Sequence, residues 1–129
     1  MKNATAEWLK SAGNDLDTIE AIRNRHHLTP VIAFHAQQCV EKCLKAILEE
    51  YNIEIKRTHN LLTLKNAVES RQSIDLNEDM LSLLNKLYLD SRYPGEFGLL
   101  PTGAPTLEDS EEFAVFAYET LAKTGKLLR

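Results

Sequence analysis

The stretch FHAQQCVEKCLKAIL, residues 34 to 48, decides the fold. Ala36, Val40, Leu44 and Ile47 recur at helical spacing, and Ala33 extends the same apolar face one turn earlier. Beside that face, Gln37, Glu41 and Lys45 fall in one row at i, i+4 and i+8, with Phe34 and Gln38 next to them. Such a flank is a solvated surface, a polar seam against another helix or subunit, or the wall of a binding site. As an exposed pair, Glu41 and Lys45 stand in the favoured order and would contribute only ~0.3–0.5 kcal/mol. If the flank instead faces another helix, the amides of Gln37 and Gln38 must find partners once buried. Phe34 among them favours the covered arrangement.

Working outward, Thr29 as N-cap and Pro30 at the first helical position start this helix, which runs to about Tyr51. A preceding helix spans about Thr5 to Arg23, with Trp8, Leu9, Ala12, Leu16, Ile19 and Ile22 on one face. A third begins near Thr58, turns Leu61, Leu64 and Val68 inward, and ends around Ser70. Asn77 caps a fourth, whose first turn carries Glu78 and Asp79 and whose face is Met80, Leu83, Leu84, Leu87 and Tyr88. The last follows Thr106 and the acidic run LEDSEE, holding helical spacing from Phe113 to Leu128. Residues 91 to 106, SRYPGEFGLLPTGAPT, contain three of the five glycines and three of the four prolines, so they form a long Gly/Pro-rich loop. Periodicity gives five helices and no strand: an all-α bundle.

At 129 residues the chain is expected to be one domain, 1–129, with 43% hydrophobic and 26% charged residues. The net charge of −4 supplies no global attraction to nucleic acid or anionic membrane. No apolar run is long enough for a membrane span, and the start MKNATAEWLK lacks the apolar stretch of a signal peptide, so the cytoplasm is the expected location. Cys39 and Cys43, one turn apart on one helix, bridge poorly and read as small buried hydrophobes. No zinc motif, glycine-rich phosphate loop or nucleophile elbow occurs, and no cofactor is expected. The cluster RNRHH, 23 to 27, reads as cations complementing a helix C-terminus.

Three blocks stand in order along the chain: FHAQQCVEKCLKAIL, RTHNLLTL (57–64) and LDSRYPGE (89–96), preceded by AEWLKSAGNDL (6–16). Together they resemble the HEPN domains of higher eukaryotes and prokaryotes, which are named for a nucleotide-binding role. The resemblance implies an up-and-down bundle of four main helices plus a shorter one, commonly homodimeric. It also implies a minimal nucleotidyltransferase encoded nearby as partner; some such pairs act as toxin and antitoxin.

HEPN ribonucleases carry an Arg, four to six intervening residues, then a His. That pairing suits metal-independent RNA cleavage, with an imidazole exchanging protons and a guanidinium stabilising phosphorane charge. None of the four histidines here meets the spacing: Arg23 precedes His27 with three residues between, Arg57 precedes His59 with one, and no His follows Arg92. The motif is absent, which speaks against an enzyme of that kind. The remaining candidates are a nucleotide-binding set of Arg92, Tyr93, His59, Arg57, Glu41 and Lys45. Arg57 and His59 stand where a helix start offers N–H groups to an anion. Arg57, Lys45 and Arg92 would meet phosphate, Tyr93 would stack on a base, and Glu41 would orient an Arg or accept from sugar hydroxyls. Equally open is a structural network of Glu41, His59 and Arg92. The expected role is a nucleotide-binding or interaction module; the rivals are a toxin-like ribonuclease using His59 with Arg57 or Arg92, and a purely structural dimeric partner.

Overall fold

The chain builds five α-helices in a computed structural model that describes residues 1–55, 57–90 and 103–129, with the side chains of Leu89 and Asp90 left aside. They are α1 (Asn3–Ile22), α2 (Thr29–Glu50), α3 (Leu61–Glu69), α4 (Glu78–Asp90) and α5 (Leu107–Leu127), with a 3₁₀ turn at His26–Leu28 between the first two. The all-α class read from the periodicity is the observed one, and the nine-residue α3 is the short helix.

α2 is the axis of the bundle. It packs against α1, α3, α4 and α5, and 14 of its 22 residues are buried. A helix covered on so many sides cannot keep all its polar residues in water, and this settles how its flank must be read. The core assembles Ile19 of α1, Ile32, Val40, Leu44 and Ile47 of α2, Leu61 and Leu64 of α3, Leu84 of α4 and Phe113 of α5. Leu81 is fully buried on α4, whereas Leu83 is only partly covered, so the inward face of that helix lies slightly rotated from the expected one.

Two helix starts differ from expectation. Thr29 is not a cap: its backbone is already helical (φ −56°, ψ −39°), because the 3₁₀ turn runs straight into α2. α3 starts at Leu61 rather than near Thr58. Asn60 takes the N-cap, its side chain accepting from Leu62 N at 3.0 Å and Thr63 N at 3.2 Å. Thr58 Oγ1 accepts from Asn60 N instead, fixing the approach to the cap. Asn77 and Thr106 serve where the sequence places them. Asn77 accepts from Met80 N, and Thr106 forms a reciprocal capping box with Asp109.

Cys39 and Cys43 are free thiols with no exposed surface, as expected of packing residues. Cys39 Sγ points at the Ala117 carbonyl of α5, 3.8 Å away. Its neighbour Cys43 and its burial hold its pKa far above the usual thiol value.

Candidate functional site

The polar flank of α2 is covered. Gln37 is wholly buried, Glu41 is 4% exposed and Lys45 9%, so the exposed-pair reading fails. They meet Trp8 of α1 and His59 of the segment before α3, and His59 in turn lies against Tyr88 of α4. Glu41 Oε1 accepts from Gln37 Nε2 at 3.2 Å and lies 2.9 Å from His59 Nδ1; its Oε2 accepts from Lys45 Nζ at 2.9 Å. Gln37 Nε2 also donates to the His59 carbonyl at 3.0 Å, and Gln37 Oε1 accepts from Gln38 Nε2 at 2.7 Å. The Lys45 ammonium stands 5.6 Å from the centroid of the Trp8 ring, a cation–π contact that closes the network on the α1 side. Among the described residues no buried side-chain nitrogen or oxygen lacks a partner, as a polar cluster in a low-dielectric interior requires.

His59 is the most open member of this network, with 47% of its side chain exposed. Its Nδ1 faces the buried Glu41 carboxylate, which places Nε2 on the opposite side of the ring. Tyr88 of α4 flanks the imidazole, ring centroids 5.0 Å apart, and Phe34 stacks on Tyr88 at 5.9 Å. Phe34 is therefore no stray aromatic on a solvated flank; it forms a ledge with Tyr88 beside His59.

The start of α3 differs chemically from the expected anion site. Leu61 N donates to Asn85 Oδ1 of α4 at 2.8 Å, Leu62 N and Thr63 N donate to Asn60 Oδ1, and Leu64 N donates to the Asn60 carbonyl. Asn85 Nδ2 donates to Asn60 Oδ1 as well. All of the first N–H groups are taken, so an anion there would displace existing bonds. Arg57 lies before this cap with an exposed side chain. Arg92 and Tyr93 fall outside the described residues.

A second buried carboxylate escaped the sequence reading. Asp15 of α1 has 8% side-chain exposure, with His35 Nδ1 2.9 Å from Oδ1 and Lys42 Nζ donating to Oδ2 at 2.8 Å. Phe34 meets His35 edge-on at 5.2 Å. The signal was present: Asp15 falls between Ala12 and Ile19 in the apolar row of α1, where an acid needs a cation from the facing helix.

The HEPN domain model matches residues 5–125. This chain belongs to the HEPN family. It is 31% identical over 115 residues to "Putative toxin MJ1304" of Methanocaldococcus jannaschii, covering 81% of this chain and 75% of that protein. The crystal structure of ST0689, an archaeal HEPN homologue, superimposes with a TM-score of 0.70 at 28% identity over the full length of both chains. Within this HEPN chain, the element closest to acid–base chemistry is the buried Glu41 holding a half-exposed His59.

Proposed function

We propose that this HEPN chain is a toxin–antitoxin-type module that works with a minimal nucleotidyltransferase encoded nearby and binds a nucleotide between His59 and the exit of α4. The similarity to the Methanocaldococcus jannaschii protein, over most of both chains, supports the toxin–antitoxin setting. The observation that carries the binding site is His59, half exposed, fixed by buried Glu41 and flanked by the Tyr88–Phe34 ledge. In this reading Arg57 and Arg92 meet phosphate, Tyr93 stacks on the base, and His59 hydrogen-bonds a sugar or base. Glu41 and Lys45 act through His59, since their charged groups are committed to each other and to the imidazole.

A thermal-shift panel of nucleoside mono- and triphosphates on the parent chain and Arg92→Ala tests it. A ligand at a hundred times its Kd adds ~2.7 kcal/mol, which raises the midpoint by several degrees. The expected result is a shift in the parent that is lost in the variant, with helicity unchanged by circular dichroism. No shift with any nucleotide would sink the nucleotide reading.

The Glu41–His59 pair favours a second reading, since a carboxylate-oriented imidazole that reaches solvent is the arrangement of a general acid–base group. If this chain cleaves RNA by that route, activity survives a chelator and disappears in His59→Ala. The negative net charge speaks for a binding role over RNA cleavage.

A further inference from the structure

A groove between the start of α4 and the outer side of α5 shares no residue with the His59 network. Met80, Val115 and Phe116 form its apolar part, and its volume is about 540 Å³. Val115 is 46% exposed and Tyr118, three residues along α5, 40%; with Met1 they are the large apolar side chains left most open among the described residues. Glu108, Glu111, Glu112 and Glu119 line the same groove, and among the described residues no Lys or Arg does.

These carboxylates are not equivalent. Arg23, at the C-cap of α1, takes both oxygens of Glu111, donating from Nε to Oε1 and from Nη2 to Oε2, each at 2.7 Å. Glu108, in the first turn, complements the α5 dipole. Glu112 and Glu119 lie beyond that turn, and among the described residues neither takes part in an ion pair. Glu108 and Glu112 are also like charges at i and i+4, a spacing that weakens an isolated helix. Uncompensated acids around an apolar strip repel nucleic acid and anionic lipid alike. They match a helix whose apolar residues recur at i, i+3 or i+4 with Lys or Arg on both sides. This chain's own basic cluster, Arg23 to His27, cannot supply that shape: Arg23 is already bound to Glu111, and the remainder leads into a three-residue 3₁₀ turn.

We propose that the α4–α5 groove docks a basic amphipathic helix of a partner protein. The proposal stands independently of nucleotide binding at His59. A synthetic leucine–lysine peptide with helical apolar spacing serves as the probe, together with a peptide of equal length and charge whose leucines are replaced by serine. Titrated into the ¹⁵N-labelled full chain, the amphipathic peptide is expected to shift the amide signals of Met80, Val115, Phe116 and Glu119 first. Binding should weaken at least tenfold for the serine peptide, for Val115→Asp, and for the Glu112→Lys, Glu119→Lys double variant. All three positions are exposed, so these variants keep the fold, and unchanged circular dichroism verifies it. Shifts elsewhere, equal binding of the serine peptide, or no binding would each overturn the proposal. So would sedimentation showing that the parent self-associates and that Val115→Asp alone makes it monomeric, which would assign the groove to a second copy.

Discussion

Asp15 and Glu41 share one pair of partner types in different settings, Glu41 having the Gln37 amide besides. Each is a buried carboxylate receiving one imidazole Nδ1 and one lysine ammonium at 2.8–2.9 Å. Asp15 is on α1 and both of its partners are on α2, so that cluster joins two long helices along their shared face. Glu41 and Lys45 are on one helix, and the imidazole arrives from the irregular segment before α3. His35 keeps 24% exposure, His59 47%. The same set of groups thus acts as a fastening between rigid elements in one place and presents a solvent-facing imidazole in the other. The deciding difference is which element carries the histidine.

The comparison breaks most visibly at the carboxylates. Glu41→Ala leaves the Lys45 ammonium, 11% exposed, with only the Trp8 ring, and should cost about 3–5 kcal/mol in chemical denaturation. Asp15→Ala should cost less, about 2–3 kcal/mol, because Lys42 keeps 20% exposure and can turn to water. A larger loss at Asp15 than at Glu41 would reverse the assignment of the more deeply buried pair. His59→Ala sharpens the contrast: about 0.5–1.5 kcal/mol, one net hydrogen bond at a half-exposed site, measured by the same unfolding curves. A loss as large as that of Glu41→Ala would make His59 a structural residue.

At the small end lies the exposed pair of Arg23 and Glu111. The bidentate guanidinium holds the Glu111 carboxyl below its ordinary pKa of 4.5. Since the folded pKa is depressed, the contribution is complete above the unfolded value and fades as pH falls through the folded one. With side chains 32% and 50% exposed, the pair is worth about 0–1 kcal/mol. Stability measured from pH 7 down to 3 should therefore fall slightly less in Glu111→Gln than in the parent.

Most helices were legible because their signals are local. Asn77 and Thr106 announce their helices, Pro30 marks the start of α2, and the apolar rows of α1, α2 and α3 needed nothing beyond spacing. Thr58 and Asn60 compete for one role within three residues, and only the three-dimensional turn shows that Asn60 reaches two N–H groups while Thr58 serves Asn60 itself. The α2 flank was ambiguous for a different reason. Its partners Trp8 and His59 are distant in sequence, and the spacing of Gln37, Glu41 and Lys45 is the same in water as under cover. Asp15 was readable as an acid in an apolar row, but the identity of its cations was not.

The two thiols give the molecule a built-in reporter. Cys39 and Cys43 have no exposed surface, Cys39 is held protonated, and both lie on the helix that every other helix touches. A maleimide should leave the folded chain untouched and react only when α2 separates from its neighbours. Its slow labelling rate in native buffer therefore counts openings of the bundle axis, while a cysteine introduced on the exposed side of α5 would be modified at once and alone.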